Sequence, residues 1–149
     1  MMGNSEKSMS SGYWEHYSHP SDIGIRGTGD TVEEAFVQAA LAMTAVMCEL
    51  SRIEAKQEVE IVSGRIDDIE ILFVEWLNAI VYHTAVDAML FSRFSVEIDG
   101  NIVRAKAWGE KIDADKHAPS VEVKAVTYAD LKVAKQRSGK WVAQCIVDV

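Results

Sequence analysis

The side chains of this sequence that are best suited to chemistry are carboxylates and histidines in short polar motifs. Asp22 lies three residues after His19, and Asp148 follows an apolar C-terminal stretch. Carboxylate oxygens bind hard divalent cations and can transfer protons. These two aspartates are 126 positions apart, so their spacing alone does not indicate that they meet. A turn at Asp22 and a frayed terminus at Asp148 are the simpler interpretations.

A second acidic motif places two carboxylates and a histidine within five residues, Asp113-Ala-Asp115-Lys116-His117. Hard cations bind such clusters when further oxygen ligands complete the coordination shell. A single D-x-D motif is weak evidence, because solvated acidic loops have the same composition. We therefore expect an ordinary loop here, with Lys116 neutralising part of its charge.

Two further pairs of residues have spacings that occur in metal sites. His16 and His19 are three residues apart, and His83 and Asp87 are four apart in a helical stretch. Zinc sites need three or four ligands, and neither pair supplies a third. His83 also falls near the end of its helix, where a histidine interacts favourably with the helix dipole. We expect His83 to be structural and His16 to alternate with its neighbours in a strand.

No nucleophile and no nucleotide-binding loop is recognisable in the sequence. Gly24, Gly27 and Gly29 form G-x-x-G-x-G, which is not the dinucleotide-binding order, and we interpret them as turn and strand-end glycines. Cys48 and Cys145 lie in apolar surroundings, where thiols are usually inert. Since no Ser/His/Asp or Cys/His arrangement is visible, the residues do not predict an enzyme.

The composition favours a single globular domain without broad affinity for nucleic acid. The chain has 149 residues, 48% of them hydrophobic, two cysteines and a formal net charge of −8. That length fits one domain, the apolar content argues against disorder, and two cysteines cannot form a disulfide framework. The acidity lies in residues 1–75, which carry 14 acidic and 5 basic side chains. This charge argues against non-specific binding to RNA or anionic membranes.

The sequence shows no targeting or membrane segment. Residues 1–12 contain no apolar run, and we predict a flexible leader there and one domain over residues 13–149. The longest apolar stretch, residues 69–81, is interrupted by Glu70 and Glu75, which is unlike a helix that spans a bilayer. We expect a soluble, cytoplasmic protein without a membrane partner.

Two helices with clear start signals are predicted to position the polar groups. Thr31-Val-Glu-Glu34 is a capping box, and apolar residues at helical spacing continue to Met47. The acidic pair at positions 67–68 opens a second helix, whose apolar residues keep a 3,4 spacing to residue 81. Its early acids suit the positive end of the helix dipole.

Period-two patterns predict strands over most of the remaining chain. They cover residues 13–17, 23–27, 58–61, 94–98, 102–108, 121–128, 131–134 and 141–147. Asp99-Gly100 is a strong hairpin signal because glycine adopts the positive φ that the turn needs. The resulting prediction is an α+β fold, a single compact domain with two main helices packed on a largely antiparallel β-sheet.

Several of these segments, in their order along the chain, resemble the archease family. They are His19-Pro-Ser-Asp22-Ile23-Gly24-Ile25, the helix of residues 31–47, Phe91-Ser-Arg-Phe94, Ala107-Trp-Gly-Glu110, Val121-Glu-Val-Lys-Ala-Val-Thr-Tyr128 and Trp141-Val-Ala-Gln-Cys-Ile-Val-Asp148-Val149. The match runs from about Tyr13 to Val149 and so covers nearly the whole chain. Separate motifs in the correct order make this resemblance specific.

The resemblance implies an accessory protein and not an enzyme. Archeases activate the RtcB-type RNA ligase, which joins RNA ends in tRNA splicing using GTP and a divalent metal. They promote guanylylation of the ligase and its multiple turnover. The implied partner is therefore this ligase, and tRNA is met only through it.

The resemblance also implies which residues form the site. The metal-binding aspartates of the family correspond to Asp22 in the H-x-x-D loop and to Asp148 in the terminal D-V, and the carboxylate of Val149 adds charge if the terminus is free. An oxygen-only set of ligands favours calcium, with magnesium or manganese as alternatives. Further polar residues of the site region match His19, His117, Glu122, Lys124 and Thr127.

One position departs from the family pattern. Ala129 precedes Asp130 where the family often has a histidine before the acidic residue. We therefore predict no histidine-assisted step at this position.

Two other classes of function fit parts of the sequence. A metal-dependent phosphoester hydrolase would use Asp22, Asp148, Asp113 and His117, and it would turn over substrate without a ligase. A chaperone-like adaptor would bind many proteins or RNAs, and its binding would be insensitive to Asp22→Ala. An acidic chain without a visible nucleophile fits binding better than catalysis.

Overall fold

The computed structural model describes residues 12–20 and 22–149. Except for Gly12, the predicted leader lies outside the described residues. The elements in chain order are β1 (Tyr13–Ser18), β2 (Ile23–Gly29), α1 (Val32–Met47), a 3-10 turn (Leu50–Arg52), β3 (Gln57–Val62), α2 (Ile69–Val86), β4 (Met89–Asp99), β5 (Ile102–Lys111), α3 (Ala114–His117), β6 (Ala125–Val126), β7 (Lys132–Lys135) and β8 (Trp141–Asp148).

The strands form two antiparallel sheets where the sequence predicted one. The first sheet has the order β1-β2-β8-β6, with β7 also pairing β8, and the second has the order β3-β5-β4. Helices α1 and α2 each contact strands of both sheets, so the helices form the layer between them. The predicted α+β class with two main helices is confirmed, and the apolar surfaces of these helices join the two sheets.

Helix α1 begins at the predicted capping box, with one difference. Thr31 Oγ1 accepts the N–H of Glu34 at 3.1 Å, but Glu34 Oε1 accepts the N–H of Asp30 at 3.0 Å, one residue before the N-cap. The Thr31 bond satisfies an amide that has no partner within the helix. Nine residues of the helix are buried, Phe36 and Met43 among them. Burial around most of its circumference is expected for a helix between two sheets.

Helix α2 is buried over its first part only. Asp68 Oδ1 caps its start by accepting the N–H of Glu70 at 2.8 Å and of Ile71 at 3.3 Å. The buried residues are Leu72, Phe73, Val74, Trp76, Leu77 and Ile80. By length and composition α2 could cross a bilayer, with a mean hydropathy of 1.3, but core helices of globular proteins meet the same criterion.

The hairpin between β4 and β5 lies one residue later than predicted. Asp99 pairs with Ile102, so the two turn residues are Gly100 and Asn101. Both have positive φ, at 58° and 64°, which is the requirement of a type I′ turn. The asparagine supplies the second left-handed position because its short polar side chain tolerates that conformation.

The predicted strand over residues 121–128 is wrong for most of its length, since only Ala125–Val126 pairs with β8. The preceding segment runs along the helices instead, where the Ser120 N–H donates to Met47 O at 2.9 Å. Val123 is buried in the core. Val121 is 43% exposed, so the alternating apolar and charged residues of this segment do not correspond to two faces of a strand.

The clustered glycines lie within β2, contrary to the predicted turn for two of them. A Cβ on Gly27 would lie 2.2 Å from Ala39 N and 2.3 Å from Ala35 O, and a Cβ on Gly24 would lie 2.4 Å from the ring of Tyr17. The third glycine ends the strand, as predicted. The missing side chains therefore let α1 and the tyrosine ring approach β2 closely.

Gly27→Ala is expected to lower the free energy of unfolding by about 1–3 kcal/mol, the usual cost of overpacking a core. The new methyl group would meet backbone atoms of α1, which cannot move aside as a side chain can. Gly64→Ala is the matched control, because a Cβ there has no neighbour within 4 Å. Urea unfolding of both variants measures the difference, and equal midpoints would contradict the close approach.

Candidate functional site

The strand register brings Asp22 and Asp148 together at one end of the first sheet. Ile23 pairs with Val147 at the end of the β2–β8 ladder. Asp22 precedes Ile23 and Asp148 follows Val147, so the register places the two aspartates opposite each other. Val147 is buried in the core. Because side chains alternate along a strand, Asp148 points to the outer face of the sheet, and it is exposed. We call these two residues the acid pair.

Asp22 is held by the turn that joins β1 to β2. Its N–H donates to His19 O at 3.3 Å, and the residue is half-buried. Together with Tyr17, Ser18 and His19, Asp22 lines a shallow cavity of about 350 Å³. The two ends of the H-x-x-D motif therefore lie in the same small depression.

On its other side β8 contacts a segment that carries two of the predicted polar residues. Asp148 pairs with Ala125, and the Lys124 N–H donates to Asp148 O at 2.8 Å. The N–H and Oγ1 of Thr127 both donate to Ile146 O, at 3.0 and 2.9 Å. Lys124 and Thr127 therefore lie beside the acid pair, and the lysine side chain is exposed.

The carboxylates of the acid pair have no hydrogen bond or ion pair with any described residue. Elsewhere in this part of the chain, carboxylates such as Glu110 and Asp68 are bonded to cations or backbone amides. Asp22 and Asp148 are opposite each other by strand register, which is the placement that a cation shared by two carboxylates requires. Their free oxygens match the ligands that hard divalent cations prefer.

The acid pair is not a complete metal site by itself. Within residues 12–20 and 22–149, no group of three or more His, Cys, Asp or Glu side chains is placed to hold a metal ion. Calcium takes six to eight oxygen ligands, so water or a partner molecule must supply most of them. Val149 follows the pair, and its side chain packs against the core.

His117 and Glu122 lie apart from the acid pair. His117 Nδ1 accepts the Asp113 N–H at 2.9 Å. The ring hydrogen is therefore on Nε2, which donates to Glu110 Oε2 at 2.9 Å. Both ring nitrogens are thus occupied, and the His117 side chain is fully buried. Glu122 is exposed and lines an apolar groove beside α2.

Glu110 is the centre of the network that holds His117. Its carboxylate accepts the N–H of Glu54 at 2.9 Å and pairs with Lys116 Nζ at 2.8 Å, and Lys56 Nζ lies 3.6 Å away. The bond from the Glu54 amide, followed by those from Lys116 and His117, lowers the pKa of Glu110 from 4.5 to about 2. This network joins the 3-10 turn region to α3.

Stability should fall as the pH is lowered through the range from about 4.5 to about 2. Unfolded chains take up a proton on Glu110 near pH 4.5, whereas the folded chain keeps this group charged down to about pH 2, so lower pH favours unfolding. Glu110→Gln should be less stable than the wild type at pH 7, and the two unfolding curves should converge towards pH 2. Denaturant titrations at each pH test this, and parallel curves would contradict it.

Most of the other residues with candidate spacings have structural partners. His83 Nδ1 lies 2.7 Å from Asp87 Oδ2 near the end of α2, as predicted for a structural histidine. His16 Nε2 donates to Ala42 O of α1 at 2.7 Å. Asp113 caps α3, so the D-x-D motif begins a short helix in place of the predicted loop.

Both cysteines are buried and free, as the sequence indicates. Burial raises the pKa of the Cys145 thiol to about 12, and it also raises the pKa of the Cys48 thiol. A thiol with a raised pKa is a poor nucleophile at neutral pH. These residues therefore belong to the core.

Sequence reasoning missed a polar network on the outer face of the first sheet. Tyr17 O–H donates to Asp130 Oδ2 at 2.8 Å, and Gln144 Nε2 donates to the same oxygen at 3.2 Å. Arg26 stacks on the Tyr17 ring at 4.4 Å, donates to Gln144 and pairs with Glu15. Burial, followed by the Asp130 contact, raises the pKa of Tyr17. No local motif signals this network, because strand pairing assembles it from four distant segments.

Comparisons with known proteins find relatives over nearly the whole chain. A family model described as the archease protein family (MTH1598/TM1083) matches residues 14–149. A protein archease of Pyrococcus furiosus is 45% identical over 141 residues, covering 91% of this chain and 98% of that protein. One of Pyrococcus abyssi is 41% identical over 140 residues, with the same coverage.

Two solved structures have the same fold. The solution structure of Methanobacterium thermoautotrophicum protein 1598 has a TM-score of 0.73 at 31% identity and covers 91% of this chain and 98% of its own. The crystal structure of an archease from Thermotoga maritima, described as a possible chaperone, has a TM-score of 0.60 at 18% identity. It covers 91% of this chain and 99% of its own. The second likeness supports the fold alone.

Proposed function

The chain belongs to the archease family, and from that premise we propose that it activates an RtcB-type RNA ligase in tRNA splicing. In this role it promotes guanylylation of the ligase and its multiple turnover, and it is an accessory protein and not an enzyme. The ligase is the direct partner, in the cytoplasm, and tRNA is contacted through it.

The observation that carries the proposal is the unpartnered acid pair. The strand register places Asp22 and Asp148 opposite each other at the rim of the first sheet, and neither carboxylate has a hydrogen bond or ion pair with a described residue. Carboxylates that are brought close together repel each other unless a cation or a proton lies between them. A cation brought by the ligase, or shared with its bound nucleotide, would relieve that repulsion and so favour the complex.

Asp22 and Asp148 would hold a divalent cation, which we expect to be calcium, magnesium or manganese, because the available ligands are all oxygens. When bound, such a cation neutralises phosphate charge and orients phosphate oxygens. The role of this chain is to present the two carboxylates on a rigid strand pair. His19, Lys124 and Thr127 lie at the edge of the same surface and are the residues that we assign to contacts with the partner.

Multiple-turnover RNA joining by the cognate ligase is the direct test. We expect the protein to raise the number of turnovers and the fraction of guanylylated ligase, measured with labelled GTP on a denaturing gel. The protein alone should hydrolyse neither GTP nor RNA. A ligase that turns over equally well with and without the protein would contradict the proposal.

A chaperone-like adaptor is the second candidate, because apolar side chains of α2 are exposed. Such an adaptor would suppress aggregation of unrelated proteins, and it would do so equally with an altered acid pair.

A metal-dependent hydrolase is less well supported. Two of the four residues that it would use, His117 and Asp113, are bonded to each other and lie apart from Asp22 and Asp148.

A further inference from the structure

The hydrogen bond between Tyr17 and Asp130 crosses the outer face of the first sheet. Tyr17 lies on β1, at the edge of the strand order β1-β2-β8-β6. Asp130 lies in the connection between β6 and β7, both of which pair with β8. The Tyr17 O–H donates to Asp130 Oδ2 at 2.8 Å. A side chain from the edge of the sheet is therefore tied to a segment that is attached to β8, with β2 between them.

The backbone of β2 supports the Tyr17 ring. Tyr17 pairs with Gly24, and a Cβ on Gly24 would lie 2.4 Å from the ring. The ring therefore lies directly on the glycine backbone. The guanidinium carbon of Arg26 is 4.4 Å from the ring centroid, which is a cation–π contact. These two contacts leave the ring little freedom, so its O–H is directed towards Asp130.

Asp130 is itself fixed relative to β8. Gln144 Nε2 donates to its main-chain oxygen and to its Oδ2, both at 3.2 Å. The carbonyl oxygen of the preceding residue, Ala129, accepts the Ile146 N–H at 3.2 Å. Asp130 has a φ of 53°, a left-handed conformation that aspartate tolerates because its short polar side chain can form hydrogen bonds. The acceptor of the Tyr17 bond is thus attached to β8 through both backbone and side chain.

The Tyr17–Asp130 bond connects the two segments that carry the acid pair. Tyr17 and Asp22 line the same cavity of about 350 Å³, and the turn that holds Asp22 begins two residues after Tyr17. Asp148 is on β8, to which Asp130 is attached. The β2–β8 ladder ends at Ile23, so the turn that carries Asp22 projects beyond the ladder. The Tyr17–Asp130 bond therefore restrains this turn against Asp148.

We infer that Tyr17 and Asp130 are positioning residues, whose hydrogen bond sets the separation of Asp22 and Asp148 for one divalent cation. The inference rests on the cation site of the proposed function. Calcium ligands lie about 2.3–2.6 Å from the ion, so two carboxylates that are already held at the correct separation bind it without first being ordered. Removing groups that support metal ligands typically costs about 10–100-fold in affinity.

Asp130 acts through Tyr17 and not as a third ligand of the cation. Among residues 12–20 and 22–149, no three His, Cys, Asp or Glu side chains are placed to hold a metal ion. Asp130 Oδ2 already accepts two hydrogen bonds, from Tyr17 and Gln144. The two roles make different demands on residue 130, because a ligand needs its negative charge and a positioning residue needs only an acceptor oxygen.

Tyr17→Phe removes the O–H and keeps the ring on Gly24. We expect the dissociation constant of Mn²⁺ from the isolated protein to rise at least about tenfold, measured from the electron paramagnetic resonance signal of free Mn²⁺. The urea midpoint should stay close to that of the wild type, because the lost bond is exposed to solvent. Tyr13→Phe is the matched control, since Tyr13 lies on the same face of the same strand and is 55% exposed. This control should bind Mn²⁺ like the wild type.

Asp130→Asn and Asp130→Gly separate the acceptor oxygen from the charge. Asparagine keeps an oxygen for Tyr17 and tolerates a positive φ, so Mn²⁺ affinity should stay within about threefold of the wild type, the effect of one screened charge. Glycine also adopts this φ but removes the acceptor, so the affinity should fall at least as far as in Tyr17→Phe. The double variant Tyr17→Phe/Asp130→Gly should bind no more weakly than Asp130→Gly alone, because the same bond is lost in both.

Each outcome separates the positioning role from the proposed function. Wild-type Mn²⁺ affinity of Tyr17→Phe would overturn the positioning role and leave ligase activation standing. An equal loss in Asp130→Asn and Asp130→Gly would overturn it too, because the charge of Asp130 would then be the active feature. So would a loss that only follows the unfolded fraction, measured by circular dichroism in the same buffer.

The cation site itself is checked with Asp22→Asn. If this variant binds Mn²⁺ as the wild type does, or if neither binds it, the acid pair is not the cation site and the positioning role is wrong as well. Multiple-turnover RNA joining then still decides on ligase activation. If all variants bind Mn²⁺ as expected but the wild type does not stimulate the ligase, the proposed function is wrong and the positioning role stands.

Discussion

Asp22→Asn and Asp148→Asn are each expected to reduce maximal stimulation of the ligase by at least about tenfold, by analogy with the cost of losing groups that support a metal site. The amide keeps the size of the carboxylate but removes its negative charge, so the pair no longer attracts a cation strongly. Binding to the ligase should persist, because the substitution leaves the rest of the protein surface unchanged. Turnover number and anisotropy, measured on the same samples, distinguish the two effects.

Asp99→Asn is the matched control for the acid pair. Asp99 is also exposed and also lies at the end of a strand, but on the second sheet, where it closes the β4–β5 hairpin. This variant should stimulate the ligase like the wild type. If the three asparagine variants behave alike, whether all active or all inactive, the acid pair has no special role.

Trp76→Ala is expected to cost about 3–5 kcal/mol of the free energy of unfolding, the range for removing a large aromatic side chain from a core. Trp76 is 1% exposed, its Nε1 donates to Phe36 O at 3.0 Å, and its ring stands edge-on to Phe94 at 5.7 Å between centroids. It therefore links α2 to α1 and to the second sheet. Domains are usually stable by only about 5–15 kcal/mol, so this variant should lose most of its folded population on mild heating.

Thermal and urea unfolding measure that loss, with Tyr128→Ala as the control. Tyr128 is an aromatic residue that is 63% exposed, so its truncation should change stability by less than about 0.5 kcal/mol. Trp76→Phe should fall between the two, because it keeps most of the ring volume and loses the hydrogen bond. A Trp76→Ala protein as stable as the Tyr128→Ala protein would show that the two helices do not depend on this contact.

Features with local signals were predictable from the sequence. Thr31 and Asp68 cap the two main helices because a side-chain oxygen next to an apolar helical pattern satisfies free amides. The hairpin between β4 and β5 was predicted within one residue. The turn residues are Gly100 and Asn101, and Asn101 has a positive φ of 64°. Asparagine in a sequence is a weaker indicator of positive φ than glycine, so the turn was placed one residue too early.

Features created by distant pairing were not predictable from spacing. Nothing in the sequence near Asp22 or Asp148 indicates that they face each other, and the family resemblance alone placed them in one site. The Tyr17–Asp130 bond and the division into two sheets likewise depend on which strands meet. Residues 121–124 alternate between apolar and charged side chains as a strand does, but the ladder with β8 begins only at Ala125.

The pairing of β2 with β8 has a consequence for how the protein folds. Ile23 pairs with Val147 and Gly29 with Trp141, so this ladder joins segments more than 100 positions apart. Contacts of such high sequence separation form slowly, because a long loop must close before any bond rewards it. The acid pair exists only after that closure. A chain whose helices and second sheet have formed but whose first sheet has not would carry no acid pair, so the proposed activity requires this long-range pairing to be complete.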